Sequence, residues 1–475
     1  MIQSDARHLP LEDESVQCIV TSPPYWGLRK YAGEQEFRWL APNGCEGGEI
    51  CEHVWGESIS VNATNHTDTA RWNHTRNGRD ELQPPEKRVA WLRTEVIQGK
   101  FCQKCGAWRG AYGLEPTIEM YVSHTVEILR EMRRVLRPDG VLFWNIGDSY
   151  AANRGNTPEK PGLDNKNKSN GALAIGDNRE VGNLKPKDLC LIPARVAIAA
   201  QQDGWWIRSL IIWAKPNPMP ESCTDRPTDA YEHIIMLTKS ERYFWDADAV
   251  REPASEGRDL GLLRGNIGPG ADGDRVAWHA PSILKRQADG VDSRTAGTGF
   301  RNLRNVWTFP TQPFSGAHFA TFPEEIPRRC ILAATSARGA CSQVIIGDDG
   351  KERVCGAPWE RVIRRNAYRD GSWFEGIPED APRPKMGTGT EFYEGFYPPK
   401  TIGWRPTCEC RGQHGKTRPC LVLDPFAGSG TTGRVARALR RHAVLADVAY
   451  GEQDEYRKLT LARLRNVDVE LPFLD

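Results

Sequence analysis

Two short strings near opposite ends of the chain combine residue types that could do chemistry: Thr21-Ser22-Pro23-Pro24-Tyr25 and Asp424-Pro425-Phe426-Ala427-Gly428-Ser429-Gly430-Thr431-Thr432. In the second, Gly428-Ser429-Gly430 allows a tight turn, because glycine has no Cβ and tolerates positive φ. A helix starting at Thr431 would aim free N–H groups and a positive dipole end at a bound carboxylate. Asp447 follows about 20 residues later, at the end of the next expected strand, where an acidic side chain can bind ribose hydroxyls. The spacing Gly428-x-Gly430-x-x-Gly433 also fits a dinucleotide fingerprint. Fewer than about 50 residues remain downstream, however, too few for a second nucleotide-binding half. No Lys precedes Thr431, which excludes a P-loop.

The first string is an acceptor site. Consecutive prolines fix φ and leave carbonyls outside any ladder. Ser22 offers a hydroxyl, Pro23 a carbonyl, and Tyr25 a ring face. An exocyclic amine on a nucleobase is a poor nucleophile, because its lone pair is delocalised into the ring. Acceptors placed on its hydrogens let the nitrogen pyramidalise toward an electrophile. An extruded base could stack on the tyrosine ring.

Both strings resemble motifs of the amino-methylating DNA methyltransferases, which act on cytosine N4 or adenine N6. Their order, catalytic string before cofactor loop, resembles the permuted β group of that family. The resemblance implies S-adenosyl-L-methionine as methyl donor and double-stranded DNA as substrate, with a cognate restriction endonuclease as a conceivable partner. It implies catalysis by Ser22, Pro23, Pro24 and Tyr25, and cofactor binding by Asp424, Pro425, Phe426, Gly428, Ser429, Gly430, Thr431, Thr432 and Asp447. Asp5, in Ser4-Asp5-Ala6, resembles the acidic residue that contacts the adenosine. His318-Phe319-Ala320-Thr321-Phe322-Pro323 resembles the segment that packs on the methionine part, adding Phe322 and Pro323 to the cofactor set. Lys215-Pro216-Asn217-Pro218-Met219-Pro220 resembles a motif beside the target base.

Methylation at carbon 5 of cytosine would instead need a cysteine nucleophile, and no Pro-Cys-Gln-like motif is present. Serine at position 22 is typical of the cytosine-N4 enzymes, whereas the adenine-N6 enzymes usually carry Asp or Asn there. Cytosine N4 is therefore favoured, with adenine N6 as the alternative. A reading from another class is a catalytically inactive zinc-containing DNA-binding protein; a nicotinamide-dependent oxidoreductase stands third.

Cysteine usage points to metal. The chain has 13 cysteines, which in a cytosolic protein read as ligands and buried thiols rather than disulfides. Cys102-x-x-Cys105 suits tetrahedral zinc, and Cys51-x-His53 upstream could complete the set, with Cys45 as a spare. Cys341 and Cys355 could meet across a hairpin turning at Gly347 to Gly350, with Cys408-x-Cys410 closing a second site. One or two structural Zn2+ ions are expected.

These residues must be positioned by an alternating α/β chain. Strand Val16–Val20 delivers the first string at its carboxyl end, where ligands sit in open α/β sheets. A helix over Thr117–Leu136, a turn at Pro138-Asp139-Gly140 and a strand at Val141–Trp144 follow. Helix Pro193–Asp203 and strands Ile207–Trp213 and Tyr231–Leu237 continue the pattern. Strand Cys420–Leu423, the glycine loop, helix Thr431–Arg441, strand Ala443–Ala446 and a helix through Arg463 complete it. The expected fold is a doubly wound, Rossmann-like methyltransferase sheet with two cysteine-bearing, zinc-ribbon-like insertions.

The expected division runs as follows. Residues 1–40 form the catalytic part of the core, 41–113 a zinc-binding insertion, and 114–250 further core with a mobile loop at 151–187. Residues 251–300 serve target recognition, 301–338 return to the core, 339–416 form a zinc-ribbon insertion, and 417–475 bind the cofactor. At 475 residues, 39% hydrophobic and 26% charged, the composition is that of a globular protein. No apolar run is long enough to span a bilayer, and no signal-peptide pattern is present, so cytoplasmic residence is expected. A net charge of +1 leaves DNA contact to local clusters such as Arg328-Arg329, Arg361-Arg364-Arg365 and Arg437-Arg440-Arg441. The sequence carries no signal for oligomeric state.

Overall fold

The structure, a computed structural model, describes residues 1–27, 37–39, 51–55, 59–61, 95–97, 101–151, 184–185, 187–253, 267–269, 275–277, 300–312, 322–347, 350–364, 400–410, 416–451, 455–465 and 467. The chain forms two compact units, one comprising Met1–Pro23, Ile128–Gly147 and Ala200–Asp475, the other Pro24–Glu127 and Asp148–Ala199.

The first unit is built on an eight-stranded sheet. Its strands are β1 (Ile2–Gln3), β2 (Val16–Thr21), β3 (Leu136–Ile146), β4 (Trp206–Ala214), β5 (Tyr231–Thr238), β6 (Val306–Thr308), β7 (Leu421–Asp424) and β8 (His442–Asp447). They lie in the order β1-β8-β7-β2-β3-β5-β4-β6. Within this sheet β5 alone runs against the others, pairing antiparallel with β3 and β4. Every other neighbour pair is parallel. All six residues of β2 are buried, as expected of a parallel strand covered on both faces.

Side chains alternate across that sheet. Cys18, Val20, Val141, Phe143, Ile211, Trp213, Ile234 and Met236 share one core with Ile326, Cys330 and Ile331 of a helix at Glu325–Ala334, and with Val435 and Ala436 of a helix at Thr431–Ala438. The intervening Ile19, Leu142, Trp144, Ile235 and Leu237 are equally buried. This is the mixed, mostly parallel α/β sheet anticipated from the alternating pattern.

The order matters because β2 and β7 are neighbours, with Cys18 opposite Val422 and Ile19 opposite Leu423. Their carboxyl ends therefore arrive together, although the residues are some 400 positions apart in sequence.

Some boundaries differ from the sequence reading. Leu136 begins β3 rather than ending the helix, which spans Ile118–Val135. The Pro138-Asp139-Gly140 turn is a bulge within the strand: Val16 pairs with Leu136, and the next pair is Cys18 with Val141. The helix after the glycine loop ends at Ala438 rather than Arg441. Arg440 there has φ +58°, and the Arg441 side chain turns inward to bond Thr335. Among the described residues, no helix is long and apolar enough to cross a membrane.

Candidate active site

Asp424 ends β7, and its carboxylate ties the two strings together. It accepts from the Thr21 hydroxyl at 2.6 Å and, at its other oxygen, from the Thr432 hydroxyl at 2.7 Å. The Phe426 N–H donates to it at 3.1 Å. The Thr432 hydroxyl also lies 3.3 Å from the Val20 carbonyl. Asp424 is only 1% exposed, and burial pushes its pKa up to about 6 against the opposing pull of these hydrogen bonds.

The glycine loop leaves Asp424 and enters the helix at Thr431–Ala438. Gly428 and Gly430 have φ of +47° and +75°. A Cβ on Gly430 would meet Thr460 Cγ2 at 2.3 Å, whereas one on Gly428 would meet nothing within 4 Å. Gly433 lets helix and strand close up, since a Cβ there would lie 2.5 Å from Leu445. Open space over Gly428 beside a helix N-terminus is a cradle that fits the carboxylate end of a ligand.

The loop is held from behind. Asp447, at the end of β8, accepts the Gly428 N–H at 2.9 Å and the Ala449 N–H at 2.9 Å. Tyr450 and Thr460 hydroxyls both donate to the Gly428 carbonyl, at 2.7 and 2.9 Å. Arg463 donates to the Ser429 carbonyl at 2.9 Å and to its hydroxyl at 2.6 Å. Sequence reasoning placed a helix through Arg463 but gave this residue no role, because only the tertiary fold turns it toward Ser429.

The remaining cofactor candidates lie around this loop in the same unit. Asp5 follows β1, whose Gln3 pairs with Asp447, and its carboxylate is clamped by Arg7 at 2.6 Å. Pro425 and Phe426 open the loop, and the Phe426 ring meets Trp144 edge-on at 6.0 Å. Phe322 packs against the core, and Pro323 is buried ahead of the helix at Glu325–Ala334. The adjoining Glu324 reaches Arg434 at 2.8 Å and Arg463 at 4.0 Å. The calls on His318, Phe319, Ala320 and Thr321 lie outside the described residues.

Ser22 extends β2 by one residue. Asn145 Nδ2 lies 3.5 Å from its hydroxyl and donates to Glu232 at 3.0 Å. Lys215 pairs with the other Glu232 oxygen at 2.5 Å, and its ammonium lies 4.8 Å from the Trp213 ring centre. The sequence singled out Lys215 but neither Asn145 nor Glu232. A buried amide in the apolar strand β3 was the available signal. Pro23 ends the first unit's opening segment.

In the second unit, Pro24, Tyr25 and Trp26 form a turn braced from within that unit. Tyr121 donates to the Pro24 carbonyl at 3.0 Å, and the Trp26 indole donates to the Glu115 carbonyl at 3.0 Å. Glu115 is fully buried with His124 at 3.0 Å, and burial raises its pKa despite that partner.

Several arginines considered for phosphate contact are engaged within the protein. Arg329 pairs with Glu325 at 2.7 Å, Arg361 pairs with Asp246 at 2.7 Å, and Arg441 bonds Thr335. Cys51, His53, Cys102 and Cys105 gather in the second unit, and Cys341, Cys355, Cys408 and Cys410 in the first. Cys45 and most of residues 251–300 lie outside the described residues.

Comparison with known proteins completes the picture. A model of the DNA methylase family matches residues 16–342 and 419–457, which include Ser22 and the glycine loop. The chain is 34% identical over 331 residues to the Type II methyltransferase M.Cfr9I of Citrobacter freundii, covering 69% of each. It is 30% identical over 357 residues to the Type II methyltransferase M.SmaI of Serratia marcescens, covering 75% of this chain and 82% of that one. Among solved structures, the PvuII DNA methyltransferase (cytosine-N4-specific) aligns over 96% of this chain and 87% of its own, at 12% identity and a TM-score of 0.37. A likeness that slight carries no argument.

Proposed function

The chain belongs to the DNA methylase family and is a DNA amino-methyltransferase, and we propose that it moves the methyl group of S-adenosyl-L-methionine to N4 of a cytosine flipped out of double-stranded DNA. The observation that supports this reading is the Thr21–Asp424 hydrogen bond, which joins the strand end preceding Ser22 to the start of the glycine loop.

Bound S-adenosyl-L-methionine would supply an electrophilic sulfonium methyl, with the thioether as its leaving group. The chain's part is to bind, orient and accept hydrogens. N–H groups at Thr431 and Thr432 would face the methionine carboxylate, while the Gly430 N–H closes the loop on the Ala427 carbonyl at 2.7 Å. Asp447, which accepts from the Gly428 and Ala449 N–H groups at the end of β8, would receive the ribose hydroxyls. Asp5, Phe322, Pro323, Pro425 and Phe426 would line the rest of the pocket. The Ser22 hydroxyl and the Pro23 carbonyl would accept the two amino hydrogens, drawing the nitrogen lone pair out of conjugation. The amine proton would leave by way of these acceptors to solvent. Tyr25 would stack on the extruded ring.

Serine at position 22, which resembles the cytosine-N4 enzymes rather than the Asp or Asn usual in the adenine-N6 enzymes, supports cytosine N4. The relatives' printed names support a Type II modification role, in which a cognate restriction endonuclease reads the same site. Digestion of modified DNA to nucleosides, with mass analysis, decides the base: N4-methylcytosine is expected, and N6-methyladenine would move the reading to the alternative. Binding of DNA with no methylation under any substrate would favour the inactive DNA-binding alternative.

A further inference from the structure

We propose that the chain carries two structural zinc ions, a Cys₃His site in the second unit at Cys51, His53, Cys102 and Cys105, and a Cys₄ site in the first at Cys341, Cys355, Cys408 and Cys410. In each group the four ligand atoms lie within 4.8 Å of one another. A tetrahedral zinc with Zn–S of about 2.3 Å and Zn–N of about 2.05 Å requires sulfur pairs about 3.8 Å apart and a sulfur–nitrogen pair about 3.5 Å apart. Cys51 and Cys102 sulfurs lie 4.0 Å apart, and Cys105 Sγ lies 3.4 Å from His53 Nδ1. A disulfide would need about 2.05 Å.

The backbone at each site makes a metal knuckle. The Gly106 N–H returns to the Cys102 carbonyl at 2.8 Å, with Gly106 at φ +72°. His53 is oriented by its stack on Trp55, at 5.2 Å between ring centres. In the first unit, the Cys341 N–H bonds the Ala357 carbonyl and the Gly356 N–H bonds the Cys341 carbonyl. Gly356 has φ +64°.

Two further facts point to an ion in the Cys₄ group. A zinc bound by four thiolates is net negative, and two guanidinium groups stand against the knuckle, that of Arg137 also pairing with Asp139 at 2.8 Å. An added Cβ on Gly356 would lie 3.0 Å from Arg137 Nη1 and 3.3 Å from Arg418 Nη2. The local core, moreover, consists of Cys341, Cys355 and Ala357, with Ile345, Cys408 and Cys410 packed against it. Four of these six side chains are the candidate ligands, so among the described residues this cluster has little apolar packing to hold it without metal. Four protein ligands also close the coordination sphere, which makes the ion structural rather than catalytic.

The family match breaks off at residue 342 and resumes at 419, so Cys355, Cys408 and Cys410 lie between its two parts and Cys341 at the end of the first. The Cys₄ group is fastened to the sheet. Arg137 donates to the Cys355 carbonyl at 2.5 Å, and Gln17 of β2 donates to the Gly356 carbonyl at 2.6 Å. The Gln17 side-chain oxygen Oε1 then accepts from Leu421 N–H of β7 at 2.8 Å. The Cys₄ ion therefore steadies the amino ends of the strands that carry both reactive strings.

The test is metal content of the full chain, purified with reductant and without chelator. Elemental analysis is expected to give about two zinc ions per chain, falling to about one in Cys102→Ser and in Cys408→Ser. As a check that needs no variant, a mercurial titration of the wild-type chain should release zinc to a colorimetric dye in step with thiol modification. Cobalt reconstitution should show sulfur-to-cobalt charge-transfer bands. A cooperatively folded wild-type chain holding one zinc or none overturns the two-site assignment. So does zinc that survives both substitutions, or mass-spectrometric detection of disulfides among these cysteines.

Discussion

The Thr21 hydroxyl donates a 2.6 Å hydrogen bond to the Asp424 carboxylate across 403 residues of sequence. It fastens the end of β2, which leads into Ser22, to the start of the glycine loop. Thr21→Val keeps the shape and deletes the donor, leaving a buried carboxylate short of one partner. The expected loss is about 1.5–3 kcal/mol of stability, with weaker cofactor binding. Chemical denaturation and calorimetric titration with S-adenosyl-L-methionine measure the two effects.

Asp424 gives a pH signature. Its pKa is raised from 3.8 to about 6, chiefly by burial. A raised carboxylate means that the folded state binds this proton more tightly than the unfolded chain does. Its contribution to stability is complete below about pH 3.8 and is lost as pH rises through about 6. Denaturation midpoints should show the wild type losing ground to Asp424→Asn across that window, with a constant difference above it. A difference independent of pH between those values would contradict the assignment.

The two left-handed glycines should separate. Gly430→Ala forces both an unfavourable φ and a clash with Thr460, so stability and cofactor binding should fall together. Gly428→Ala meets open space; it should cost only about 1–2 kcal/mol of stability, while the added methyl intrudes where the ligand approaches. Paired denaturation and binding curves distinguish the variants.

Arg463 holds Ser429 by its carbonyl and hydroxyl. Arg463→Met preserves much of the apolar stem and removes both donors. The cofactor dissociation constant should rise by roughly tenfold or more, in keeping with about 1.5–3 kcal/mol for hydrogen bonds from a charged group. Equilibrium binding without DNA isolates this effect from turnover.

Much of this architecture was legible in the sequence, and the limits have physical causes. The glycine loop announces itself because Gly430 and Gly433 occupy positions that no Cβ could share with Thr460 and Leu445. Strand β2 is readable as an apolar run, since both its faces are covered. Lys215 and the amide of Asn145 stand out singly in the sequence, but their meeting at Glu232 does not, because it depends on β5 pairing antiparallel with both β3 and β4 in one register. Arg463 was hidden for a similar reason: its role follows from the place where the last helix docks. The bulge at Pro138 to Gly140 reads as an ordinary turn in sequence, because both use the same residues.

The most direct test of the account is methyl transfer itself. DNA incubated with the protein and methyl-labelled S-adenosyl-L-methionine is digested to nucleosides and separated by mass. Label on the exocyclic amino nitrogen, as N4-methylcytosine, is the expected result, with Ser22→Ala cutting turnover by about 100- to 1,000-fold at unchanged cofactor affinity. Label on carbon 5 of cytosine, or full turnover by Ser22→Ala, would contradict it.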